Sequence, residues 1–283
     1  MKVLITGAGG QLGHDVDRVC REAGDEVVAL DRSRLDVGSR DAVYQAVLST
    51  RPTVVVHAGA WTAVDACEDD PDRAYRTNAL GTRWVADASH RAGAYLCYVS
   101  TDYVFDGTKP TPYVEWDTPN PTSVYGRSKL GGEVEVRTHA PGGAVVRTSW
   151  VCGEHGSNMV KTVLRLADRP ELAFVDDQRG CPTFTADLAV AIRRLAAWRI
   201  PGLFHVTNQG AVTWYELARA ILAAAGHDPG KVRPISTAEL DPPRPAPRPA
   251  NSVLDNAALR LAGLPLLPPY GESLDRLVAR LTA

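Results

Sequence analysis

Tyr125 and Lys129 stand four residues apart in the run Tyr125-Gly126-Arg127-Ser128-Lys129, and on a helix that spacing puts a phenol and an ammonium on one face. An ammonium beside a phenol favours the ionised form and lowers a pKa that starts at about 10. A phenol tuned in this way can give a proton to a carbonyl oxygen while hydride arrives at the carbon. Thr101 follows the strand-like residues 95–99 through Ser100, at the strand edge where ligands of open α/β sheets collect, and its hydroxyl can bond the same oxygen. A Tyr-x-x-x-Lys pair also decorates ordinary solvent-facing helices, so its meaning depends on a second signal upstream.

That signal is Gly7-Ala8-Gly9-Gly10-Gln11-Leu12-Gly13, a G-x-x-G-x-x-G run between an apolar strand-like run and a segment of helical period. Gly7, Gly10 and Gly13 permit a tight turn and close backbone approach, and the amides and dipole of a helix N-terminus favour a pyrophosphate. The second strand ends at Asp31, where a carboxylate suits the adenosine ribose hydroxyls and repels a 2′-phosphate, which favours NADH. Arg32 and Arg34 follow at once and suit the 2′-phosphate of NADPH. These residues leave NADPH and NADH both open. Asp36 and Val37 offer a carboxylate and an apolar wall near the adenine.

Holding a glycine turn and a Tyr–Lys helix around one space requires a sheet. Short Val-, Ile- and Leu-rich runs at residues 3–5, 26–30, 54–57, 95–99 and 144–146 alternate with segments long enough for crossover helices. That alternation predicts parallel strands joined by right-handed βαβ units. The unbroken Val54-Val55-Val56 run fits a strand covered by helices on both faces. Beyond residue 150 the pattern changes to short helical segments at residues 159–167, 186–197 and 214–225. The expected fold is α/β, a Rossmann-type doubly wound parallel sheet at residues 1–150 and a smaller C-terminal α/β substrate lobe at 151–283, with the chain free to interleave between them. Residues 241–249 hold five prolines, which exclude helix and sheet interior and predict an extended loop. It reads as a surface connector or as a loop over the substrate, with Arg244 and Arg248 able to bind phosphate.

Composition sets outer bounds. The chain has 283 residues, 45% hydrophobic and 23% charged, enough apolar material for a packed core. A net charge of −2 without a long basic run argues against nucleic acid as a partner. Five widely spaced cysteines without a C-x-x-C pair read as reduced thiols. No apolar stretch approaches membrane-spanning length, and the strand-like start leaves no room for a leader, so a cytoplasmic protein is expected. No H-E-x-x-H or cysteine cluster suggests a metal.

Several further blocks carry a resemblance. They are His57-Ala58-Gly59-Ala60-Trp61-Thr62-Ala63-Val64-Asp65, Asn78-Ala79-Leu80-Gly81, Ser100-Thr101-Asp102-Tyr103-Val104-Phe105-Asp106-Gly107, Arg147-Thr148-Ser149-Trp150-Val151 and Asp176-Asp177-Gln178-Arg179-Gly180-Cys181-Pro182-Thr183. With the glycine turn and the Tyr125–Lys129 segment, the chain resembles the dTDP-4-dehydrorhamnose reductase family of extended short-chain dehydrogenases/reductases over nearly its whole length. The resemblance implies reduction of the 4-keto group of dTDP-4-dehydro-β-L-rhamnose to dTDP-β-L-rhamnose, the last step in making that sugar donor. It implies that Gly10, Gln11 and Leu12 line the pyrophosphate, Asp31, Asp36 and Val37 the adenosine, and that Ala60, Trp61 and Thr62 wall the cofactor. Tyr125 would be the acid, and Lys129 would hold the nicotinamide ribose and tune Tyr125. Thr101, Asp102 and Trp150 would contact a dTDP-linked 4-keto-6-deoxy sugar.

Two departures stand out. The family's Asn-Ala-Ala-Ala-Tyr run is His57-Ala58-Gly59-Ala60-Trp61 here, which alters the nicotinamide wall. Glutamates that hold a bridging Mg²⁺ in some members fall near Asp15 and Ala186; an alanine offers no ligand, so any homodimer is expected to form without a magnesium bridge. Two other readings are a sibling 4-ketoreductase of the dihydrostreptose-synthase type and a non-catalytic nucleotide-binding regulator. The second predicts erosion of Thr101, Tyr125 and Lys129, all of which are present.

Overall fold

The computed structural model describes residues 1–283. Six parallel strands form the main sheet: β1 (Lys2–Thr6), β2 (Glu26–Leu30), β3 (Val54–His57), β4 (Tyr95–Thr101), β5 (Ala144–Thr148) and β6 (Gly202–His205). Their order is β2-β1-β3-β4-β5-β6. The order reverses at β1, so the chain leaves β1 and β3 toward helices on opposite faces and a crevice opens at the carboxyl ends of the strands, the usual ligand position in such sheets.

Alternation along each strand explains why both faces are apolar. Val3, Ile5, Val54, Val56, Cys97 and Val146 point to one face and pack on the helices α1 (Gln11–Glu22) and α5 (Thr185–Trp198). Leu4, Val55, Leu96, Tyr98 and Val145 point to the other, against α2 (Arg40–Thr50), α3 (Gly81–Arg91) and α4 (Val124–His139). Period-two side chains on strands and helices on both faces give the doubly wound arrangement. Each fully buried aliphatic side chain here contributes roughly 1.5–3 kcal/mol.

A separate core forms the smaller lobe, where Val160, Val163, Leu172, Phe184, Leu217, Ile221 and Leu274 pack together. The helix α6 (Trp214–Ala224) crosses it and begins with a capping box between Thr213 and Glu216. The chain interleaves: after entering this lobe at residue 150 it returns to the main sheet for α5 and β6. The segment at 186–197, read from its pattern alone as part of the small lobe, packs with Leu188, Ala189, Ile192 and Leu195 in the main core beside α1. Its apolar stripe fits either partner, and only the long-range pairing of β6 with β5 decides between them.

The proline-rich residues 241–249 form no helix or strand. They dock on the segment after β3, where Arg248 makes a two-pronged ion pair with Asp65 at 2.5 and 2.8 Å and the Ala246 N–H donates to the same carboxylate. No helix is long and apolar enough to cross a membrane.

Candidate active site

A cavity of about 750 Å³ opens along the carboxyl edge of the main sheet. Its walls carry Gly7, Gly10, Gln11, Leu12, Gly13, Asp31, Asp36, Val37, Ala60, Trp61, Thr62, Thr101, Asp102, Tyr125, Lys129 and Trp150, but not Arg34. Positions spread over 144 residues of chain thus meet around one space because β1, β3, β4 and β5 end side by side.

The glycine turn is shaped for close approach. Gly7 has φ +73°, and a side chain there would lie 2.6 Å from the Gly59 backbone at the point where the β1 and β3 loops touch. A Cβ on Gly13 would lie 2.4 Å from the Gly7 carbonyl oxygen. No side chain caps the start of α1, with Gly10 at its N-cap, so its first amides are free to meet a pyrophosphate. The cradle fits a dinucleotide. Gln11 is braced from the small lobe, since Asn158 donates to its carbonyl at 2.8 Å and its amide donates to the Ser157 carbonyl at 3.1 Å.

At the adenosine end, Asp31 accepts from the Ser33 N–H, the Ser33 hydroxyl and the Arg34 N–H, all through Oδ1. These bonds, the Ser33 hydroxyl first, hold its carboxyl below the usual range. Arg34 turns back to the Ala29 carbonyl, whereas Arg32 and Ser33 line the cavity. Of the two arginines next to Asp31, Arg32 alone is placed to read a 2′-phosphate.

Asn78 organises the middle of the site. Its side chain accepts from the Trp61 N–H at 2.8 Å and donates to the Trp61 carbonyl and to the Ser128 hydroxyl, tying the β3 loop to α4. The Arg73 guanidinium covers Trp61 at 4.2 Å from the ring centre, a cation–π contact that steadies the larger indole at this wall.

The helix α4 begins at Ser123, whose hydroxyl accepts from the Gly126 N–H, so Tyr125 lies in the first turn at the cavity edge. Burial pushes the Tyr125 phenol up, with the adjacent Thr101 hydroxyl offsetting part of the effect. This corrects the expectation that Lys129 lowers it. The Lys129 ammonium instead donates to the Val99 carbonyl at 2.7 Å and sits 4.1 Å from the centre of the Tyr98 ring, so four-residue spacing brings the chains to one face without making them partners in the free protein. Burial pushes Lys129 down to about 7, with Glu133 opposing.

Thr101 donates to Asp102 at 3.0 Å and accepts from the Tyr103 N–H. Asp102 is 1% exposed and burial pushes its carboxyl up to about 6. Tyr103 meets the Tyr125 ring edge-on at 5.6 Å.

At the small-lobe end, Trp150 adopts φ +47° and stacks on Trp214 with ring centres 3.4 Å apart and planes 5° apart. Gly180 is required behind it, since a Cβ there would fall 2.4 Å from the indole. Nothing local in the sequence marks Trp214 as a site residue: it opens α6 in the smaller lobe, and its helical pattern gives no sign of the crevice. Arg244 and Arg248 do not line the cavity. Asp15 is engaged by Arg18 at 2.8 Å and by Thr185 at 2.5 Å, and no group of three or more His, Cys, Asp or Glu side chains is arranged to hold a metal.

The family profile described as the RmlD substrate binding domain matches residues 1–283. The chain belongs to the RmlD family. Among its relatives, the spore coat polysaccharide biosynthesis protein SpsK of Bacillus subtilis is 42% identical, over 93% of this chain and 92% of that protein. A dTDP-4-dehydrorhamnose reductase of Streptomyces griseus is 43% identical, over 92% of this chain and 88% of its own. The crystal structure of dTDP-4-dehydrorhamnose reductase from Bacillus anthracis in complex with NADP superposes with a TM-score of 0.95 at 40% identity, covering 99% of this chain and 100% of that one. The RmlD fold thus extends over both lobes.

Proposed function

We propose that this chain is an NADPH- or NADH-dependent reductase that converts the 4-keto group of dTDP-4-dehydro-β-L-rhamnose to the alcohol of dTDP-β-L-rhamnose. The observation that carries this reading is the convergence of the uncapped glycine turn, Thr101, Tyr125 and Lys129 on one cavity in a chain of the RmlD family.

Gly10, Gln11 and Leu12 would hold the cofactor pyrophosphate, Asp31, Asp36 and Val37 the adenosine, and Ala60, Trp61 and Thr62 the wall facing the nicotinamide. When bound, that ring supplies hydride to the carbonyl carbon. Tyr125 delivers the proton to the carbonyl oxygen, its phenol kept protonated by burial. Thr101 turns its hydroxyl from Asp102 to the same oxygen. Lys129 binds the nicotinamide ribose and places positive charge below Tyr125 as negative charge develops there. Asp102 and Trp150 seat the sugar nucleotide.

Five buried free thiols fit a reducing, cytoplasmic setting. Any homodimer forms without a magnesium bridge, Asp15 being committed to Arg18 and Thr185. Nucleic acid is not a partner on the charge balance.

The test is loss of reduced-nicotinamide absorbance with dTDP-4-keto-6-deoxyglucose, with and without a 3,5-epimerase, for NADPH and NADH. Oxidation that requires the epimerase and yields dTDP-L-rhamnose supports the proposal. Oxidation without it points to a sibling 4-ketoreductase, and cofactor binding without any oxidation points to a regulatory protein.

A further inference from the structure

Tyr125, Lys129 and Glu133 occupy successive turns of one face of α4. The third does not itself line the cavity, yet it is the centre of a buried cluster just behind the wall residue Ser100. Arg147, from β5, donates to Glu133 through Nε at 2.8 Å and Nη2 at 2.7 Å, and Ser100, from β4, donates to the same carboxylate at 2.6 Å. Lys129, Glu133 and Arg147 are each no more than 2% exposed. Buried charges survive when paired, and here Arg147 takes both carboxylate oxygens while Lys129, one helical turn away, makes no hydrogen bond to Glu133. Arg147 Nη1 is left without a partner, its guanidinium lying 5.1 Å from the Phe105 ring centre.

Lys129 has a carbonyl and an aromatic face as direct contacts, neither of which carries a full charge. The negative charge that supports it is Glu133, one turn on. Resting on the reductase reading above, we propose that Glu133, held by Arg147 and Ser100, is a positioning residue that fixes the seat and the charge of Lys129 and so sets the pH range over which cofactor is bound and reduced substrate formed.

Other groups facing Lys129 leave this assignment standing. His57, from β3, meets Thr6 at Nδ1 and donates from Nε2 to Thr82, whose own proton goes to the Asn78 carbonyl; burial pushes the ring down to about 3, which keeps it neutral. Tyr98, from β4, donates to the Lys129 carbonyl and is pushed up by burial, as is Tyr125 on α4 itself. Asp102, the residue after β4, is pushed up to about 6 by burial, below the range in which Lys129 changes charge. Arg147, from β5, neutralises the Glu133 carboxylate.

The signs follow from charge. Removing the Glu133 carboxylate makes Lys129 lose its proton at lower pH, whereas removing the Arg147 guanidinium lets Lys129 keep it to higher pH. A helix merely loosened by either change has no reason to move the two in opposite directions.

The experiment measures NADPH binding by nicotinamide fluorescence, and turnover in parallel, as functions of pH for the wild type, Glu133→Gln and Arg147→Met, with thermal unfolding to confirm that each is folded. The alkaline midpoint is expected to fall by about one pH unit in Glu133→Gln and to rise by a similar amount in Arg147→Met. Midpoints that stay in place, or that move the same way in both, overturn the proposal. Should either variant fail to fold, Glu133→Asp keeps the charge but withdraws it by one methylene. A lowered midpoint in that variant supports the assignment and an unmoved one refutes it. Wild-type enzyme that binds NADPH but turns over no sugar nucleotide counts against the reductase reading alone, because the binding midpoints still decide the role of Glu133.

Discussion

Tyr125 keeps its proton in the free protein because its surroundings are apolar and aromatic, with Cys67, Tyr103 and Val124 packed about it. A phenol held in this state carries the proton that the reductive direction needs, and positive charge brought beside it would make that proton easier to give up. Tyr125→Phe is expected to leave NADPH affinity nearly intact while turnover drops by about 10²- to 10⁴-fold; full activity in a stopped-flow assay would mean that another group supplies the proton. Lys129→Met is expected to weaken cofactor affinity and slow turnover together, since one side chain serves the ribose and the charge. A loss confined to kcat, with the Kd for NADPH unchanged by fluorescence titration, would remove the ribose contact from the mechanism.

Among the elements, the junction of β1 and α1 leaves little room for change. The contact of Gly13 with the Gly7 carbonyl allows no Cβ, so Gly13→Ala must displace the start of α1, at a cost of about 1–3 kcal/mol. Denaturant unfolding is expected to show that loss, and NADPH binding should weaken more than tenfold because the amides move off their target. This junction was legible in the sequence, as were β1 to β5, because glycine spacing and period-two or unbroken apolar runs are local signals. The Tyr125 and Lys129 pairing was legible as a shared helix face, but the direction of the ammonium was not: the Val99 carbonyl and Tyr98 ring that attract it come from β4, and their distance depends on how α4 packs. Trp214 and the membership of α5 were hidden for the same reason, since each is decided by a partner far along the chain.

On the scale of the whole molecule, buried histidines couple stability to acidity. His57 and His205 are pushed down to about 3 by burial, while in the unfolded chain such rings titrate near 6.5. Below that value the unfolded chain takes up protons that the folded one does not, so stability is retained above about 6.5 and falls toward 3, by up to about 1.4 kcal/mol per pH unit for each ring. Asp102, raised to about 6, acts in the opposite sense below that pH. The His57 contribution is isolated by a variant: between about pH 6.5 and pH 5, denaturant midpoints are expected to fall less steeply for His57→Gln than for the wild type, and equal slopes would show that the ring is not kept neutral. If any homodimer forms without a magnesium bridge, as proposed, the light-scattering mass should be the same with magnesium and with chelator. The return of the chain to the main sheet has a consequence for synthesis. The edge of β5 waits for β6, roughly fifty residues and some seconds of translation at about 5–20 residues per second, during which the nascent sheet presents an unpaired strand. Until Gly202–His205 leaves the ribosome, that edge is a site for a chaperone or for mispairing with a neighbouring chain.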